Sequence, residues 1–244
     1  MGGIYHDYAG NLSFKKGESG ESNVVSCACF IPCAEEEKVL EILPRGSNGL
    51  PLKSTDSELT EENACIFLDS FLALPVHIGI LMVDVGGPDS IQAIEIVQTH
   101  ANERRKAQHK RNVSKLAVAY CMFTTEPILL ALMAKGEELG EFPKRFSITL
   151  DQEEFGRQQT ELFRWSTIAT FLKHGSTVSH LHWKSRLENN LLFVPDLIAG
   201  LIYRHGTTGE AFGGIEALAK SSERRQTVIR DGKKLDLKAL GISD

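Results

Sequence analysis

The sequence predicts an α/β domain built on a mixed sheet. Segments with strand chemistry, VVSCACFI, VHIGILMVDV, RFSITL and STVSHLHW, are separated by longer stretches of helical character. The chain opens with a period-2 run, Ile4 to Ala9, followed by the turn signal Gly10-Asn11, so part of the sheet is antiparallel. A length of 244 residues, 42% of them hydrophobic, suits one domain of generous size with a real core.

In order along the chain, the first strand covers Ile4 to Ala9, and a return strand starts at Leu12 to Phe14. Val24 to Ile31 reads as a strand buried on both faces, and Ala34 to Leu43 as a short helix with an acidic face. Arg45 to Ser57 is rich in turn residues and is the expected flexible loop. Leu59 to Leu74 is a helix with Thr60 as its N-cap, ended by Pro75. Val76 to Val85 is a strand broken by Gly86-Gly87-Pro88. A long helix runs from Pro88 to about Arg111, and Asn112-Val113-Ser114 marks a bend before a second helix through Lys135. Arg145 to Leu150 is a strand and Phe155 to Lys173 a helix stopped by Gly175. Ser176 to Trp183 alternates like a strand, and Val194 to Arg204 is an apolar helix started by Pro195. From Thr207 the chain is looser and ends polar.

The net charge of −5 does not advertise nucleic-acid binding by the surface as a whole, although local patches matter more than the total. Residues 1–15 lack the basic and apolar regions of a secretory leader. The best apolar run, Val76 to Val85, is about half of what a bilayer requires, so no membrane association is expected. Five cysteines, most in apolar segments, fit reduced thiols and a cytoplasmic location.

Asp7 raises a chemical question, because it stands on one face of a buried strand with Tyr5 and Ala9. Such a carboxylate is paired, or at an exposed strand end, or holding a cation. Two further aspartates share its situation. Asp151 follows RFSITL directly, and Asp196 opens the apolar helix in LLFVPDLIAG. Each has a local explanation: a turn acceptor for Asp7, a D-x-x-E cap with Glu154 for Asp151, and a helix first turn for Asp196. Strand ends and helix starts also converge on one edge of an α/β sheet. Two carboxylates about 4 Å apart repel by roughly 4 kcal/mol at an effective dielectric near 20. Three of them need a cation or a raised pKa. An all-oxygen site of this kind suits Mg²⁺ or Mn²⁺.

The opening YHDYAGN resembles the "DESG" or "DEAG" strand that begins the domain-of-unknown-function family numbered thirty-eight hundred. The family's closing pattern, S-K-x(n)-LQLAD-L-x-A-G, is similar in order and spacing to Lys184-Ser185 followed by LLFVPDLIAG. RFSITLDQEE fits its middle strand ending in Asp. The resemblance covers about residues 4 to 205 and implies an RNase H-like mixed sheet, so residues 1–206 are expected to form that domain, and the looser, polar residues 207–244 a loosely structured C-terminal extension. It also implies a metal-dependent nuclease in which Asp7, Asp151 and Asp196 are catalytic and hold Mg²⁺ or Mn²⁺. Two departures stand against the pattern: Tyr8 replaces the second acid of the opening motif, and Pro195 replaces the usual Ala. Glu153 or Glu154 could supply a missing ligand. The alternative is a degenerate member that binds nucleic acid or a protein partner.

The basic run ERRKAQHKR, Glu103 to Arg111, is either a solvated helix end or a surface that tracks RNA or DNA phosphates through Arg104, Arg105, Lys110 and Arg111. Cys27, Cys29 and Cys33 lack zinc spacing, and His180 with His182 makes an incomplete metal site. Gly86-Gly87 reads as a turn, with Asp84 and Asp89 beside it as weaker acid candidates. No G-x-S-x-G elbow is present.

Overall fold

In the computed structural model, the described residues are 2–10, 23–84, 88–108, 112–139, 145–151, 177–208, 218 and 227–231. The strands are β1 (Gly2–Gly10), β2 (Asn23–Pro32), β3 (His77–Asp84), β4 (Arg145–Asp151), β5 (Thr177–Lys184) and β6 (Thr227–Asp231). They form one sheet in the order β5-β4-β1-β2-β3-β6. β2 is antiparallel to both β1 and β3, while β4, β5 and β6 pair in parallel. The core order 3-2-1-4-5 with β2 reversed is a mixed sheet with the topology that the sequence resemblance leads one to expect.

The partner of β1 is β2, through Tyr5↔Cys29 and Gly10↔Val24, rather than a strand begun at Leu12. Residues 11–22, which join the two strands and contain Leu12 to Phe14, lie outside the described residues, as do 152–176 with the expected helix from Phe155. Thr227–Asp231, from the segment expected to be loose, adds the sixth strand beside β3.

Helices cover both faces. On one lie α1 (Glu36–Ile42), α2 (Glu61–Leu72) and α6 (Phe193–Thr208). α2 starts as expected, with the Thr60 hydroxyl accepting from the Asn63 N–H. Phe67 and Phe71 stack on one another, and with Ile198 and Leu197 they bury the Tyr5, Cys27 and Cys29 face of the sheet. Pro195 is tolerated because the first turn of a helix has no use for its missing N–H.

The other face carries α3 (Pro88–Ala107), α4 (Lys115–Ala119) and α5 (Glu126–Leu139). Between α4 and α5 the helix widens into a π turn, Tyr120–Thr125. Pro127 explains it: a proline here cannot donate to the preceding turn and would crowd it in α geometry. The hydroxyls of Thr124 and Thr125 donate to the Tyr120 carbonyl, at 2.6 and 3.3 Å. The expectation that no apolar stretch has bilayer-spanning length is corrected here. Lys115–Met133 is 19 residues long with mean hydropathy 1.7. The fold itself covers that stretch, since Ile128, Leu129, Leu132 and Met133 pack with Ile4 and Phe146.

A buried polar relay ties the π turn to the sheet. His6 is fully buried, and burial lowers its imidazole pKa to about 3, so the ring is neutral. One tautomer satisfies every group. The Tyr120 hydroxyl donates to His6 Nδ1 at 3.2 Å, His6 Nε2–H donates to Ser26 Oγ at 2.9 Å, and the Ser26 hydroxyl donates to the Thr124 carbonyl.

Candidate functional site: three carboxylates around Arg186

The parallel pairing of β1 with β4 aligns Tyr5 with Thr149 and His6 with Leu150. The next residues on the two strands are Asp7 and Asp151, so both acids reach the same end of the sheet. Alternation along β1 sends Asp7 to the α6 face, with Tyr5, and sends His6 to the other. α6 packs across β1 and β2, and its first turn delivers Asp196 to the same place. All three carboxylates are buried.

One guanidinium joins them. Arg186 Nη2 lies 2.7 Å from Asp7 Oδ2 and 3.4 Å from Asp196 Oδ1, and its Nε lies 2.9 Å from Asp151 Oδ2. The Arg186 side chain is itself only 13% exposed. It projects from a tight turn after β5, in which the Glu188 and Asn189 amides both donate to the Ser185 carbonyl. The Glu188 carboxylate in turn accepts from the Ser185 N–H, and Asn189 caps the short 3₁₀ turn Asn190–Leu192 that leads into α6. Asp7 is therefore paired, and the partner is a residue 179 positions away.

The remaining oxygens are also engaged. Asp7 Oδ1 accepts from the Tyr8 N–H at 2.8 Å, and Asp196 Oδ2 accepts from the Ser54 N–H at 3.0 Å. Ser54 belongs to the segment expected to be a flexible loop. Instead, that segment is fixed by an Arg45↔Pro51 bridge and by burial of Leu52 and Ser54. Gly200, one turn after Asp196, makes the approach possible, because a Cβ there would overlap the Ser54 side chain.

A single guanidinium does not balance three carboxylates. Burial pushes the Asp7 carboxyl well above its ordinary value; Arg186 opposes the shift, while Asp196 and Asp151 reinforce it. Burial also raises Asp196, against the pull of Arg186, the Ser54 N–H and Lys53. Asp7 and Asp196 thus hold protons more tightly than exposed aspartates do.

The donor set bears directly on a divalent ion. Three carboxylates are the right chemistry for Mg²⁺ or Mn²⁺. In this arrangement, however, Arg186 stands among them, and both oxygens of Asp7 and of Asp196 already have partners. Among the described residues, no group of three or more His, Cys, Asp or Glu side chains is disposed to hold a metal ion. The site as built fits a guanidinium and does not fit a metal.

Sequence reasoning assembled the three acids and missed Arg186 and Ser54. A signal for the first was present: Ser185-Arg186 offers the serine-then-base order of the S-K pattern, ahead of LLFVPDLIAG. Ser54 left none, because its contribution is a backbone N–H. Tyr8, where the resembled family has an acid, packs edge-on against Tyr120 with ring centroids 5.4 Å apart. That is the face opposite the carboxylates, so a Glu at this position would not join them.

The other candidates lie elsewhere. Arg104 is exposed, but Arg105 is buried at 8% and does not face solvent as a phosphate contact would. Lys110, Arg111, Glu153, Glu154 and Gly86-Gly87 lie outside the described residues, and the side chains of Asp84 and Asp89 are likewise not described. Cys27 and Cys29 are buried core thiols 3.7 Å apart, and Cys33 is exposed. His180 and His182 stack with centroids 5.7 Å apart on β5, the last strand on that side of the sheet.

No protein-family model matches the chain, and no curated protein matches it. Among solved structures, the chain is similar to a point mutant of Bst-RNase HIII, at 12% identity and a TM-score of 0.45, covering 99% of this chain and 65% of that one. It is also similar to Bst-RNase HIII in complex with Mn²⁺, at 14% identity and a TM-score of 0.41, covering 99% and 70%. The present chain thus spans about two thirds of the length of those chains.

Proposed function

We propose that this protein is a non-cleaving RNase H-like domain that binds nucleic acid through its backbone phosphates. The observation that carries the non-cleaving part is Arg186, which contacts all three carboxylates that hydrolysis would need free. The binding part draws on the basic run that starts in the last turn of α3, with Arg104 and Lys106 exposed there and Lys110 and Arg111 following in sequence. Fold alone does not decide function, so the run itself has to be tested.

The test is single-stranded RNA and DNA binding across a salt series, with cleavage followed in Mg²⁺ and in Mn²⁺. The parent binds both polymers, leaves them intact, and loses affinity as salt rises. The triple variant R104A/K110A/R111A lowers the salt slope by about one unit for each phosphate that is no longer neutralised. Arg105, being buried, is left in place. Absence of binding at low salt removes nucleic acid as the partner and makes a protein partner the better account.

A second reading, a nuclease using Mg²⁺ or Mn²⁺ at Asp7, Asp151 and Asp196, is favoured by one observation. The cluster carries three acids against one guanidinium, and burial raises the Asp7 and Asp196 carboxyls above their usual range. That reading requires Arg186 to leave. Metal-dependent cleavage by the parent, abolished in D7N, would establish it.

A further inference from the structure

We infer that Arg186 occupies the position of a divalent cation among Asp7, Asp151 and Asp196, so that guanidinium and metal exclude one another. The inference deepens the non-cleaving reading by naming the residue that keeps the centre closed. Three features of the site carry it.

The first is stoichiometric. Arg186 touches all three carboxylates at once, at 2.7, 2.9 and 3.4 Å, which is what a shared cation does and what a surface ion pair does not. The second is the way Arg186 is presented. Its turn is closed by hydrogen bonds from Glu188 and Asn189 to Ser185 and is capped into the 3₁₀ turn before α6, so the guanidinium is built in rather than draped over the site. The third is that two of the carboxylates, Asp7 and Asp196, are also positioned by groups other than Arg186. Ser54 N–H fixes Asp196, Tyr8 N–H fixes Asp7, and Gly200 holds the Ser54 loop against α6. Take away the guanidinium, and three buried carboxylates remain on two strands and a helix, with Asp7 and Asp196 still held by backbone N–H groups. That is an oxygen donor set of the kind Mn²⁺ takes.

Exclusion follows from electrostatics. A divalent ion entering beside a resident guanidinium meets like charge at close range in a site shielded from water, where such repulsion is stronger than at the surface. A neutral residue at position 186 removes the repulsion and leaves the acids unbalanced, so metal binding and folding become coupled.

Mn²⁺ binding to purified parent, R186M and D7N/R186M, measured by electron paramagnetic resonance and by thermal shift, tests this. R186M should bind Mn²⁺ at least roughly tenfold more tightly than the parent, a difference of about 1.4 kcal/mol. Its melting temperature should rise with Mn²⁺ while the parent's stays fixed, and D7N/R186M should lose the gain. R186M that folds only with Mn²⁺ also supports the inference. Equal Mn²⁺ affinity in folded parent and R186M overturns it. If R186M folds in neither buffer, R186Q decides. Its amide is neutral but still donates hydrogen bonds to the carboxylates, so tighter Mn²⁺ binding than the parent supports the inference and parent-like binding overturns it. Cleavage by the parent bears on the proposed function alone, because the comparison of Mn²⁺ affinities stands whether or not any polymer is cut.

Discussion

Replacing Arg186 by Met keeps the length and much of the apolar stem of the side chain while deleting its charge. The guanidinium is 13% exposed, and the carboxylates it touches are 3%, 8% and 9% exposed, so solvent does little to screen the loss. Breaking a buried ion pair by removing one partner costs about 3–5 kcal/mol, because the other charge is left uncompensated. Here three carboxylates lose their common partner, and protonation of the acids offsets part of the cost. For a domain of this size each kcal/mol moves the melting temperature by about 2–4 °C, so a drop of roughly 6–20 °C is expected at neutral pH. The loss should be smaller in more acidic buffer, because burial raises the Asp7 and Asp196 carboxyls, which take up protons more readily than exposed aspartates and then need less of a counter-ion. Thermal and urea denaturation of parent and R186M, with chelator present at both pH values, make the comparison. Stability within about 0.5 kcal/mol of the parent at neutral pH would place Arg186 among ordinary surface residues and refute the reasoning.

Asp7 and Asp196 have folded pKa values above the ordinary 3.8, so their contribution to stability is full below that value and is lost as pH rises through the folded pKa. D7N should flatten this decline in a denaturation series from pH 4 to pH 8, and an unchanged slope would count against the shift. His6, lowered from 6.5 to about 3, acts in the opposite sense: its contribution is present above 6.5 and lost as pH falls through about 3, so acidic data need H6Q as a control. G200A should cost about 1–3 kcal/mol in urea denaturation, since the added methyl displaces Ser54 from Asp196. Y120F leaves the buried His6 Nδ1 without its donor and should cost about 1–3 kcal/mol, measured the same way.

How much of this was legible in the sequence depended on the range of the signal. β1, β2, β3 and β5 announce themselves through local alternation and apolar runs, and the Thr60 cap through its neighbours. Convergence of Asp7, Asp151 and Asp196 followed from their positions at strand ends and a helix start, features that a parallel pairing brings to one edge. What answered their charge was not legible, because Arg186 sits in an unremarkable turn and its role exists only once β5, β4, β1 and α6 have met. The loop around Ser54 read as flexible for a similar reason. Its composition is that of a turn, and its order comes from a backbone amide bonded to a carboxylate 142 residues away. The π turn was missed because Tyr120 to Thr125 is apolar at helical spacing, so only Pro127 marked the irregularity.

The most direct measurement is a crystal structure of the parent grown in millimolar Mn²⁺, with anomalous data collected at the manganese edge. The account predicts Arg186 in contact with Asp7, Asp151 and Asp196 and no anomalous peak among them. A manganese peak ligated by those carboxylates, with the Arg186 side chain turned away, would contradict it.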